Sequence, residues 1–94
     1  MISYVRQSNF DPRAEKFLRK LPKKHGGQIA RKVEELLNDP YPPDSLRLKG
    51  YSALRVDSGE YRIIYQVTEK WIFILIVGKR NDSEVYKELR KRFG

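Results

Sequence analysis

Arg55, Arg62, Arg80 and Tyr86 are the side chains of this sequence best equipped for chemistry. Arg55 and Arg62 flank the turn signal Ser58-Gly59, so an antiparallel hairpin would set them on neighbouring strands. Two guanidinium groups side by side repel unless an anion sits between them. Arg80 closes the segment VGKR, Tyr86 follows in the last part of the chain, and Lys49 ends the segment LRLK. These five are expected on one concave sheet face. Such a cluster fits a phosphodiester. Donors that hold the phosphate gain strength as charge builds in the transition state. A base must also take a proton from the attacking oxygen, and an acid must give one to the leaving oxygen. His25 is the single histidine, which excludes a two-histidine acid–base pair. The carboxylates are dispersed, with Asp57, Glu60 and Glu69 at turns and Glu34-Glu35 in a helical stretch. Neither a metal centre nor a cofactor is expected.

The elements that must position these residues are legible in outline. Ile2 to Arg6 alternates as a short strand. Asp11-Pro12 announces a helix, Asp as N-cap and Pro at its first position, with Ala14, Phe17, Leu18 and Leu21 on one face and Arg13, Lys16, Arg19 and Lys20 outside. Pro22 ends it. Ile29, Val33, Leu36 and Leu37 mark a second helix that starts near Gly26-Gly27 and stops at Asn38-Asp39-Pro40. The two form an αα-hairpin, with His25 in the connecting loop. The proline-rich segment NDPYPPDS is an extended loop.

Strands follow. Leu54 to Asp57 alternates, then Tyr61 to Thr68, with Glu69-Lys70 as a tight turn. In the second strand Tyr61, Ile63, Tyr65 and Val67 share one face, and Arg62, Ile64 and Gln66 share the other. Trp71 to Val77 is apolar throughout, as in a strand covered on both faces. Asp82 or Ser83 caps a last helix carrying Val85, Leu89 and Phe93 at i, i+4 and i+8, with Lys87, Arg90, Lys91 and Arg92 alongside. The expected fold is α+β, a small antiparallel sheet in the chain order β-α-α-β-β-β-α, forming a single domain over residues 1–94 with the αα-hairpin on one face.

Composition narrows the setting. Twenty lysines and arginines against 12 acidic residues give a net charge of +8, which favours a polyanionic partner such as nucleic acid or an acidic protein segment. Absence of cysteine excludes disulfides and thiolate metal sites and fits a reducing cytosol. Met1 to Phe10 is mixed in polarity, unlike a secretory signal. The run Trp71 to Val77 is far short of the roughly 20 residues a membrane helix needs. A cytoplasmic protein without membrane contact is expected.

YRIIYQV followed by VGKRNDSEVY resembles the RelE family of toxins, within the RelE/ParE superfamily, and LRLKG and the order of elements agree with it. The VGKR and SEVY block is the specific part, since the YR strand is shared with relatives that are not nucleases. The resemblance implies the toxin of a type II toxin–antitoxin pair, a metal-independent endoribonuclease that enters the ribosomal A site and cuts the bound mRNA. There the 2′-hydroxyl attacks the adjacent phosphate and leaves a 2′,3′-cyclic phosphate and a 5′-hydroxyl. It implies a phosphate-stabilising role for Arg62, leaving-group protonation or phosphate binding for Arg80, and base stacking or proton transfer for Tyr86. Arg55 stands where the family has one lysine, and Ala53 where it has another. Lys49, Lys79, Lys87 and Arg90 are expected to contact RNA. Because arginine is a poor general base, the base is left open among Lys49, Lys79, Tyr86 and a ribosomal group. Implied partners are a small acidic antitoxin, the ribosome with its rRNA, and mRNA. Two other readings stay open: a ParE-type poison of DNA gyrase, and a basic RNA-binding domain without toxicity. The blander readings of single residues are a solvated Arg62, Tyr86 packed beside Val85, Trp71 as strand packing, and His25 as a loop residue without a chemical role.

Overall fold

The structure, a computed structural model, describes residues 6–81 and 83–93. Its elements are β1 (Gln7–Phe10), α1 (Pro12–Arg19), α2 (Lys23–Asn38), β2 (Leu46–Arg47), β3 (Leu54–Ser58), β4 (Tyr61–Val67), β5 (Trp71–Lys79) and α3 (Glu84–Phe93). The strands form one five-stranded sheet in the order β1-β5-β4-β3-β2, antiparallel except for β1, which pairs parallel to β5. The α+β class and the meander of three long strands match the sequence reading. The short strand β2, in the LRLKG segment, is additional. The expected strand at Ile2 to Arg6 lies, apart from Arg6, outside the described residues, as does Asp82. The strand that is described begins at Gln7, whose amide donates to the Lys70 carbonyl. QSNF carries too little apolar alternation to announce itself.

Local chemistry explains the boundaries. Asp11 accepts from the Arg13 amide and Pro12 opens α1, as an N-cap and N1 pair should. Pro22 caps α2, so that helix begins at Lys23 and absorbs His25, Gly26 and Gly27 into its first turns. His25 is therefore helical, which corrects the loop placement: proline's fixed φ suits a helix start as well as a helix stop. Gly59, with φ 58°, is the first residue of the two-residue loop between Ser58 and Tyr61. That left-handed backbone is cheap only for glycine, and glycine at the first loop position is the type II′ preference.

The sheet separates two cores. On one side α1 and α2 cover Tyr61, Ile63, Tyr65, Ile72, Ile74 and Val77, with Ile29, Val33 and Leu36 fully buried against them. On the other, Val85 and Leu89 of α3 pack on Ala53, Ile64 and Ile76. The alternation expected for Tyr61 to Val67 is thus realised. Along β5 the phase changes: Ile64 pairs with Ile76 but Tyr65 with Ile74, so Leu75 is left over as a bulge. The Leu75 carbonyl accepts a 2.9 Å bond from Arg92, which also approaches Asp11 (3.5 Å) and Glu88 (3.0 Å). Arg92 thereby ties the end of α3 to the sheet and does not join the solvated basic face. Two expectations of burial are corrected. Phe93 is half exposed, because α3 runs past its apolar support. Trp71 and Phe73 are half-buried and stack on each other at the start of β5, so that end of the strand is not covered on both faces.

Candidate active site

The chemistry-bearing residues meet where α3 begins. Arg55 of β3 and Arg62 of β4 point to the α3 side of the sheet. The register sets Arg55 opposite Ile64 and Asp57 opposite Arg62, so the two arginines are diagonal neighbours. Tyr86, in the first turn of α3, lies over them. Its hydroxyl oxygen accepts from Arg55 Nη1 at 2.8 Å and from Arg62 Nη1 at 3.0 Å, and its ring centre is 5.7 Å from the Arg62 guanidinium carbon. The crowding of cations is relieved by Asp57, whose carboxylate takes Nε of Arg62 at 2.8 Å and Nη2 at 3.3 Å.

Gly78 makes this approach possible. It pairs with Arg62, and a Cβ at this position would lie 2.7 Å from Val85 Cγ1. A side chain here would push the start of α3 away, and Tyr86 with it. The glycine of VGKR is therefore a spacing device, and its close approach requires that no Cβ be present.

The electrostatics follow from these contacts. The hydrogen bond from Arg62 lowers the Asp57 carboxyl below its ordinary 3.8, and the charges of Arg62, Arg55 and Arg80 act in the same direction against partial burial. Arg62 is held above its ordinary range, chiefly by the same bond to Asp57. A phenol offers two lone pairs and one hydrogen. With both lone pairs of Tyr86 given to guanidinium donors, its own hydrogen is what it has left to donate.

Arg55, Arg62 and Tyr86 are thus joined by hydrogen bonds. Arg80 is exposed just beyond β5, with its amide bonded to the Glu60 carbonyl and its charge felt at Asp57. Arg90 is exposed one turn after Tyr86, so the two share a helix face. Lys87, in the same helix, reaches Glu84 at 3.6 Å. Lys79 pairs with Tyr61, on the face of the sheet opposite Arg62. Lys49 sits in the turn before β3, at the far end of that strand from Asp57, on the order of 13 Å away along the strand. Sequence reasoning passed over Asp57 and Gly78 as site residues. The turn Ser58-Gly59-Glu60-Tyr61 was the available signal for the first, because a two-residue loop sets position 57 opposite 62. Ala53 is buried in the small apolar cluster with Ile64, Ile76, Val85 and Leu89. His25 is not solitary: its Nδ1 lies 2.8 Å from the Tyr61 hydroxyl, on the opposite face of the sheet.

Among the described residues no group of three or more His, Asp and Glu side chains is placed to hold a metal ion, and no helix is long and apolar enough to cross a membrane. A five-stranded open sheet with a helical hairpin on one face and a third helix on the other matches the fold of solved RelE toxins. The family described as the ParE toxin of the type II toxin-antitoxin system parDE matches residues 9–84. The mRNA interferase toxin RelE of Escherichia coli (strain K12) is 37% identical, over 89% of this chain and 93% of that protein. A doubly substituted E. coli RelE toxin in the free state superposes with a TM-score of 0.78 at 32% identity, covering 96% of this chain and 99% of that one. RelE in the archaeal RelE-RelB complex of Pyrococcus horikoshii OT3 gives 0.71 at 30% identity, covering 85% and 98%. The chain belongs to the RelE family of type II toxins.

Proposed function

We propose that this protein is the toxin of a type II toxin–antitoxin pair and that it cleaves mRNA in the ribosomal A site, in the cytoplasm, through attack of the 2′-hydroxyl on the adjacent phosphate. The observation that carries the reading is the convergence of Arg55 and Arg62 on the Tyr86 hydroxyl. An mRNA interferase at 37% identity supports the nuclease activity. Relatives solved with RelB support a cognate antitoxin, which on a toxin of charge +8 has reason to be acidic.

In this mechanism Arg62 and Arg55 hold the non-bridging oxygens as negative charge grows, in a site whose donors are already aimed. Arg80 extends the clamp towards the leaving 5′-oxygen. Tyr86 donates its hydrogen to the phosphate or the leaving oxygen. Arg90, Lys87, Lys79 and Lys49 contribute contacts to RNA phosphates, with the steep salt dependence such contacts bring. Guanidinium groups do not accept protons at neutral pH. Both carboxylate oxygens of Asp57 are engaged by Arg62. Of the other candidate bases, Lys79 pairs with Tyr61 on the opposite face, Lys49 lies beyond the far end of β3, and the Tyr86 hydroxyl already accepts from two guanidinium groups, so this reading assigns the proton of the 2′-hydroxyl to a ribosomal group. A toxin that clamps the phosphate but borrows its base has a direct reason to need the ribosome.

Primer extension on an mRNA under translation tests this. Native protein is expected to cut within A-site codons only when ribosomes are present, and an Arg62→Ala, Arg80→Ala double variant is expected to leave the mRNA intact. Intact mRNA with native protein, accompanied by loss of gyrase supercoiling, would replace this reading with a ParE-type poison. Intact mRNA without toxicity would leave an RNA-binding domain.

A further inference from the structure

Arg62 is the central donor of the proposed site, yet its guanidinium is already engaged side-on by a carboxylate of its own chain. Asp57 stands directly across the strand pair and binds Nε and Nη2, while Nη1 meets Tyr86. Three of the five N–H groups are thus committed, and among the described residues one on each terminal nitrogen has no partner. An exposed ion pair would be worth little. This one is different: the Arg62 side chain is only 13% exposed, and the contact is two-pronged, the geometry in which arginine loses most of its rotational freedom. Asp57 is 38% exposed, so the carboxylate is the more solvent-accessible partner, while the Arg62 guanidinium keeps only a narrow accessible edge. The carboxylate also faces a concentration of positive charge, since Arg55, Arg62 and Arg80 all act on it.

We propose that Asp57 is a positioning residue for the cleavage reaction, fixing the plane of the Arg62 guanidinium so that its two uncommitted N–H groups present themselves to the phosphate beside the Tyr86 hydroxyl. The assignment rests on the nuclease reading above. It has an unusual consequence. Asp57 is negative and lies beside an anion-binding site, so its charge weakens RNA binding while its hydrogen bonds speed the chemistry. Removing it moves the two in opposite directions. A misplacement on the order of 1 Å at a reacting centre can cost about 100-fold in rate, and loss of one negative charge near a phosphate site tightens binding a few-fold. A residue that merely stabilised the fold would not separate them.

The test is a set of single-turnover time courses on ribosome-bound mRNA, read for the saturating rate and the half-saturating toxin concentration. Native protein, Asp57→Asn, Asp57→Glu, Arg62→Ala and the Asp57→Asn, Arg62→Ala pair are compared, with thermal unfolding of each as a check on folding. Asp57→Asn is expected to lose roughly 10–100-fold in rate with half-saturation at a lower toxin concentration, and Asp57→Glu to recover part of the rate. In the Arg62→Ala background the second substitution is expected to cost nothing more, because the carboxylate acts through that arginine. A native rate in Asp57→Asn would overturn the assignment, as would a rate loss that comes with an equal loss of binding and melting temperature. Full additivity in the double variant would overturn it too, and would make Asp57 a catalytic group in its own right. Native protein that does not cut at all would sink the nuclease reading, and this assignment with it; native cleavage with an additive cycle would sink this assignment alone.

Discussion

The two faces of the sheet are built for different ends. The face under α1 and α2 is dry and large, with Ile29, Ile63, Tyr65, Ile72 and Ile74 wholly excluded from solvent. The face under α3 has a small core of Ala53, Ile64, Ile76, Val85 and Leu89, and next to it a cluster of three arginines, an aspartate and a tyrosine. Each large aliphatic side chain fully buried contributes about 1.5–3 kcal/mol, so the first face holds most of the stability. The second can then carry repelling cations and a helix seated on a strand glycine. The comparison teaches that in a basic chain of 94 residues the main core and the proposed reactive cluster are separated by the thickness of one sheet.

Substitutions can break that separation. The largest effect is expected on the hairpin face: Leu36→Ala should cost about 2–5 kcal/mol, a large share of the stability of a small domain. Chemical denaturation should show it, with cleavage per folded molecule unchanged. On the other face Arg62→Ala should lower the cleavage rate by about 10²–10³-fold while the unfolding midpoint falls by less than in Leu36→Ala. Gly78→Ala tests the bridge between the two properties. Its Cβ meets Val85 at 2.7 Å, and overpacking of this kind costs about 1–3 kcal/mol. Both melting temperature and activity should fall, and a compensating Val85→Ala should restore part of each. An uncompensated pair would mean that the helix is not set by this contact.

The smallest effect is a titration. Tyr65 donates to the Pro40 carbonyl at 2.8 Å, and burial pushes its hydroxyl up to about 12. A group whose proton is held more tightly when folded contributes stability that is complete below its unfolded range near 10 and is lost as pH rises towards 12. Denaturation midpoints of native protein should therefore fall more steeply between those pH values than those of Tyr65→Phe. Parallel curves would remove Tyr65 from the account.

The sequence showed the hairpin face better than the α3 face. Periodicity reveals Ile29, Val33 and Leu36 because their spacing is their role. The alternation Tyr61, Ile63, Tyr65 is visible for the same reason. It could place Arg62 on the opposite face, but not Asp57 against it, since that needs the register of a two-residue loop. Gly78 was less legible still, because its function is the absence of a Cβ under a helix that packs from elsewhere in the chain. β1 and β2 were obscured by composition. QSNF has one apolar residue, and Leu46–Arg47 is too short for any period. His25 was misplaced because Pro22 was read as a terminator of the first helix alone, when it also starts the second.

The most direct test of the division between the faces is the single-turnover cleavage rate per folded molecule, on ribosome-bound mRNA, for Arg62→Ala beside Ile29→Val. Ile29→Val removes one methyl from the buried hairpin face, at about 0.5–1.5 kcal/mol. The account predicts a native rate for Ile29→Val and a loss of about 10²–10³-fold for Arg62→Ala. Native cleavage by Arg62→Ala, or an equal loss in both, would contradict it.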